Sequence, residues 1–163
     1  MSPMEIIEKY WNKAPPIDIW GILSEIDNLD FRFVTLPKEM AGFIQLTGKG
    51  LWTIGINIDH SKERRRFTAA HELGHYYFHR GYLGDGVSDS LDYRPLAYKL
   101  PNKRVTIAHE RQANSFAANV LMPHHLLTDV TPLDDISKLA SQLEVSEAAL
   151  RIRLGFNSKS EAD

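Results

Sequence analysis

The chain has 163 residues, 43% hydrophobic and 25% charged, which suits one globular domain over residues 1–163 with a core of its own and excludes a disordered polymer. It has no cysteine, so disulfides and thiolate ligands are excluded and any metal must be held by His, Asp or Glu. The formal net charge of −2 argues against broad affinity for nucleic acid; with no basic-then-apolar leader and no apolar run approaching about 18 residues, a cytoplasmic protein without membrane partners is expected.

Residues 1–30 read as N-terminal helices. Ile6, Ile7, Tyr10 and Trp11 share one face of a helix over residues 4–13, Pro15-Pro16 interrupts it, and Asp18 is placed to cap a second helix with Trp20, Leu23 and Ile26 turned inward. Phe31-Arg32-Phe33-Val34 alternates as a strand does, and residues 42–46, the turn 47–50 and residues 51–58 read as strand, turn, strand. A small three-stranded sheet is therefore expected before the central helix. The strand over residues 51–58 runs into Asp59-His60-Ser61, the loop that opens that helix. As a sheet edge it would hold an extended peptide by main-chain hydrogen bonds; otherwise it packs on the helix. Ser61 is a candidate N-cap, and the charged run 62–66 reads as a solvated first turn.

The central helix carries His71-Glu72-Leu73-Gly74-His75, an H-E-x-x-H pattern. Side chains four apart on a helix lie nearly above one another, so His71 and His75 can aim two imidazoles at one ion. Glu72, about 100° round the helix, can reach a water beside it. Zinc brings the pKa of a bound water to about 7, and a carboxylate can then pass its proton to a leaving amine, which is hydrolytic chemistry. The pattern also arises by chance, but here it sits between Arg66-Phe67-Thr68-Ala69-Ala70 and Tyr76-Tyr77-Phe78-His79, where unpartnered histidines and a glutamate would be costly to bury.

A catalytic zinc needs a third protein ligand. His79 is about 12 Å along the helix from His71, too far to share an ion. A ligand of the H-E-x-x-H-x-x-G-x-x-H kind fails, because Phe78 and Gly81 stand where the glycine and the last histidine belong. The long loop from Gly84 has no clear periodicity until about Thr106; Tyr93, Arg94, Tyr98 and Lys99 are candidates there for substrate contact. Residues 107–122 then read as a helix with a buried stripe through Ala113, Ala117, Val120 and Leu121, Phe116 on its flank and Glu110 almost in line with it. A carboxylate so placed calls for a cation, and Asn114, one turn on, is placed to hydrogen-bond a ligand imidazole. His109 and the loop carboxylates Asp85, Asp89 and Asp92 are alternatives to Glu110. Tyr98, His109 and His79 are candidates for stabilising an oxyanion.

The two segments 66–75 and 110–123, the second reading Glu110-Arg111-Gln112-Ala113-Asn114-Ser115-Phe116-Ala117-Ala118-Asn119-Val120-Leu121-Met122-Pro123, resemble the ImmA/IrrE family of metallo-endopeptidases. The resemblance covers roughly residues 15–155. It implies His71, His75 and Glu110 as ligands of a Zn2+ ion and Glu72 as general base and acid. It also implies an α+β, zincin-like fold, the small sheet packed on the H-E-x-x-H helix and further helices over residues 31–125. Family members typically cut helix-turn-helix repressors encoded nearby, and some are paired with toxins, so a repressor or antitoxin is the implied protein substrate.

Residues 132–156 read as a helical closing segment. Within it, residues 136–154 look like a helix-turn-helix pair, with a turn at Glu144-Val145-Ser146 and Ser146 capping the second helix. Two alternatives to proteolysis follow: a DNA-binding regulator acting through residues 136–154, or a zinc-containing partner that sequesters a repressor or toxin. Glu144 in place of the usual turn glycine, and Glu147 at the start of the second helix, both oppose DNA binding.

Overall fold

The computed structural model describes residues 1–83, 86–90, 105–128 and 135–156, the side chains of 86–90 excepted. Helix α1, Pro3–Trp11, starts at a capping box in which the Ser2 hydroxyl accepts from the Glu5 N–H and the Glu5 carboxylate accepts from the Ser2 N–H. Its inward face is the expected one, with Ile6, Ile7 and Tyr10 buried. Helix α2, Ile19–Glu25, begins at Asp18, whose carboxylate accepts from the Gly21 N–H at 3.0 Å. The Tyr10 hydroxyl donates to Glu25 at 2.7 Å, which ties the two helices together.

The sheet contains β1 (Leu29–Val34), β2 (Met40–Leu46) and β3 (Trp52–Asn57), the three expected strands, and gains a fourth, β4 (Gly86–Ser90). Their order is β1-β3-β2-β4; β1 runs parallel to β3, and the other two pairings are antiparallel. β3 is therefore interior, which decides between the two readings of residues 51–58: the strand packs on the helix and is not an edge open to a peptide. All six of its residues are buried, as suits a strand covered on both faces. β4 arises inside the stretch read as a long loop. Its residues Gly86-Val87-Ser88-Asp89-Ser90 include a single apolar one, so main-chain pairing with β2 rather than hydrophobic alternation makes the strand.

Helix α3, Lys62–His79, is capped by Ser61, whose hydroxyl accepts from the Arg64 N–H at 3.2 Å, and it packs on β2 and β3. Gly42 permits that approach: a Cβ there would lie 2.6 Å from Thr68 Cγ2. A 3₁₀ turn, Arg80–Tyr82, ends the helix. Helix α4, Ile107–Leu121, lies along α3 and buries Ala113, Phe116, Ala117, Val120 and Leu121. Gly74 sets how closely the two helices meet, since a Cβ on it would stand 3.1 Å from both Ala113 Cα and Phe116 Cδ1. The Trp11 indole donates to Val120 O at 2.9 Å and so fastens α1 to α4.

Helices α5 (Ile136–Leu143) and α6 (Glu147–Arg153) form the expected pair, with Ser146 accepting from the Ala149 N–H. The turn between them is braced from α3. Arg66 is 3% exposed, which corrects the reading of run 62–66 as wholly solvated. Its guanidinium donates to the carbonyls of Ile17 (2.8 Å), Glu144 (3.1 Å) and Leu143 (3.4 Å). Glu144 has a left-handed φ of 53°, where glycine would be easier. Its carboxylate lies 3.1 Å from Lys62 Nζ and 3.7 Å from Arg66 Nη1, contacts a glycine would lack. The core is continuous from α1 through the sheet to α6, taking in Ile7, Leu23, Ile54, Leu73, Ala117 and Leu150. No described helix is long and apolar enough to cross a membrane.

Candidate metal centre

His71, Glu72 and His75 are buried in the middle of α3. The two imidazoles point the same way because they are one helical turn apart, their ring centroids 4.8 Å from each other and their planes at 85°. α4 crosses in front of them and presents Glu110 from its first turn. Glu110 Oε2 lies 3.0 Å from His71 Nε2, and Oε1 lies 3.2 Å from His75 Nε2. One ligand atom from each of the three residues falls within 4.8 Å of the others, and the group can hold a metal ion. Corners of a tetrahedron with zinc–nitrogen bonds of ~2.1 Å are about 3.4 Å apart, so the donor set and its spacing fit such an ion. The carboxylate is 14% exposed, so it stands at the margin of the core rather than within it.

Each histidine is also held from behind. Asn114 Oδ1 lies 2.8 Å from His71 Nδ1, as its position one turn beyond Glu110 led us to expect. His75 Nδ1 is 3.0 Å from His79 Nδ1, and His79 Nε2 is 2.7 Å from Gln112 Oε1. Burial pushes the His79 imidazole below its usual pKa, with the Gln112 hydrogen bond opposing, so the ring is neutral near pH 7. His79 is 1% exposed and lies behind His75, which argues against an oxyanion role and places it instead in contact with a candidate ligand.

His109, an alternative to Glu110, accepts from the Thr106 N–H through Nδ1 at 3.1 Å, and its ring centroid lies 4.6 Å from that of His79 with the planes tilted by 39°; it is not in the group that could hold a metal. Asp85, Asp92, Tyr93, Arg94, Tyr98 and Lys99 lie outside the described residues, as does the side chain of Asp89. Gln112 was not anticipated. It sits on the exposed face of α4, where periodicity carries no signal, and only its spatial neighbour His79 marks it.

In front of the group lies a cleft of about 810 Å³. His71, Glu72, Glu110 and Asn114 form its floor, and Glu72 is 0% exposed there. Phe67, Thr68 and Ala41 also line it, Ala41 at an irregularity in the β2–β4 register, as do Ser137, Ala140 and Ser141 of α5, Val145 of the turn and Ala149 of α6. A carboxylate beside two imidazoles and a second carboxylate, at the base of a cleft, is an arrangement able to deprotonate water and hand the proton on.

No curated protein matches the chain. The model of the peptidase M78 family, described as the IrrE N-terminal-like domain, matches residues 28–155 and so spans every element from β1 to α6, both motif segments included. On that match, over a fold in which the two segments meet, the chain belongs to the ImmA/IrrE family of metallopeptidases.

Proposed function

We propose that the chain is a zinc-dependent endopeptidase of the cytoplasm, a single catalytic unit over residues 1–163, and that it cuts a protein of the helix-turn-helix repressor or antitoxin class. The observation that carries this reading is the meeting of His71, His75 and Glu110 beside the buried carboxylate of Glu72 at the floor of an open cleft. Family kinship supports a protein substrate, and the choice of a repressor or antitoxin rests on kinship alone.

His71, His75 and Glu110 would hold the ion. Zinc bound there supplies Lewis acidity to a scissile carbonyl and to water. Glu72 takes a proton from the attacking water and returns it to the departing amine, a role its position next to His71 and its shielding from bulk water favour. Asn114 orients the His71 ring. β4 is the outermost described strand on the side of β2, whose Ala41 reaches the cleft, and it suits an extended peptide added by main-chain pairing.

Glu72→Gln tests the assignment, since it keeps shape and removes the base. Cleavage of a co-expressed candidate repressor should fall by about 10²–10⁴-fold, while zinc content and substrate binding survive. Full biological activity in that variant would favour sequestration over hydrolysis. DNA binding is a weaker alternative, because Ser146, Glu147 and Ala149 of the helix-turn-helix pair line the cleft and Arg153 donates to Met122 O. A salt-dependent mobility shift with the adjacent promoter would revive it.

A further inference from the structure

We propose that Gln112 and His79 are positioning residues: a hydrogen-bond relay running Gln112–His79–His75 selects the tautomer of His75 that presents a bare Nε2 to the metal. The proposal rests on the metal-centre reading above.

The polarity follows from what each atom can do. Gln112 Oε1 is 2.7 Å from His79 Nε2, and a carbonyl oxygen only accepts, so the proton is on His79 Nε2. A neutral imidazole has one N–H, so His79 Nδ1 is bare and accepts across 3.0 Å from His75 Nδ1. That proton leaves His75 Nε2 with its lone pair, and Nε2 is the atom turned to Glu110, 3.2 Å from Oε1. Reversing the chain, with the Gln112 amide donating to His79, would drive the proton onto His75 Nε2 and close it to a metal. One polarity is compatible with ligation. A carbonyl on α4 thus acts on a ligand of α3 through an intervening ring.

The arrangement differs from that of His71, whose Nδ1 meets the Asn114 amide directly at 2.8 Å. His79 is buried and fixed in place, whereas Gln112 lies on the exposed face of α4 and can be changed without disturbing the core. The relay therefore has a handle that separates hydrogen bonding from folding.

The test measures zinc affinity of the full chain by competition with a chromophoric chelator, and ring tautomers by nitrogen-15 NMR of the imidazoles. In the parent, His75 should appear as the Nδ1–H form and His79 as the Nε2–H form. Gln112→Met should weaken zinc binding by about 10-fold or more with thermal stability of the metal-free protein unchanged. Gln112→Glu, which keeps an acceptor, should match or exceed the parent affinity. His79→Leu should weaken binding at least as much as Gln112→Met, and the double variant should be no worse than His79→Leu. Should His79→Leu fail to fold, the two Gln112 variants decide alone. If Gln112→Met binds zinc like the parent, or Gln112→Glu is as weak as Gln112→Met, the relay is overturned while the metal centre stands. A parent that takes up no zinc overturns both.

Discussion

His71 draws its second hydrogen bond from a different helix, and this makes Asn114 a sharp probe of the metal centre. The amide oxygen, 2.8 Å from His71 Nδ1, accepts the ring proton there and leaves Nε2 facing Glu110. Asn114→Leu keeps the branched shape of the side chain at an exposed position and removes the acceptor. Zinc affinity is expected to fall about 10–100-fold, read by chelator competition, with the melting temperature of the metal-free protein unmoved. An unchanged affinity would mean that His71 is oriented by packing alone. At this scale much was legible. His71, Glu72 and His75 stand out because the chemistry requires their spacing, and Glu110 because an acid almost in line with an apolar stripe calls for a partner. Gln112 was not legible, because an exposed glutamine on a polar face resembles any other until the fold brings a buried histidine 2.7 Å away.

Two contacts between elements determine whether these residues meet. α3 and α4 approach at Gly74, where an added methyl would stand 3.1 Å from Ala113 Cα, a backbone atom with little room to give. Gly74→Ala gains about 1 kcal/mol of helix propensity and loses about 1–3 kcal/mol to overpacking, so net stability should fall by about 0–2 kcal/mol. The shift of α4 nevertheless acts on Glu110, one turn away from Ala113. Zinc affinity should drop by an order of magnitude or so while the melting temperature of the metal-free protein falls by no more than about 8 °C, and a variant that binds zinc as the parent does would show that α4 absorbs the methyl elsewhere. The second contact is Arg66, which holds the α5–α6 turn to α3 through the carbonyls of Leu143 and Glu144 and also donates to that of Ile17, ahead of α2. Arg66→Met strips those acceptors of a buried donor and should cost about 3 kcal/mol, a fall of roughly 6–12 °C in melting temperature; a loss under about 1 kcal/mol would mean water replaces the guanidinium. The helices were readable from periodicity and caps at Asp18, Ser61 and Ser146. β4 was not, since an edge strand held by main-chain pairing leaves no alternating pattern, and Arg66 was hidden among charged neighbours.

Across the whole molecule, the core and the proposed metal centre are separable. Apolar packing runs unbroken from α1 to α6, and the three candidate ligands sit along one side of it rather than holding it together. Removing the ion should therefore leave a folded protein, unlike a small zinc module that folds only with its metal. The metal still contributes by mass action, because an ion that binds the native state alone adds RT ln(1 + [Zn]/Kd), about 4 kcal/mol when free zinc is about 1,000 times Kd. At roughly 2–4 °C per kcal/mol for a chain of this size, chelation should lower the melting temperature by about 8–16 °C. The far-ultraviolet circular dichroism before melting should remain that of the folded chain, since the element contents do not depend on the ligands. Glu72→Gln should show the same shift as the parent, because its side chain is not among the three proposed to hold the ion, whereas Glu110→Gln should show little or none. That contrast separates the ligand from the base in one experiment without any substrate. A melting temperature indifferent to chelation in the parent, measured after zinc loading is verified, would mean that the ion does not prefer the native state and is not held by the folded group between α3 and α4, and would remove the basis for hydrolysis.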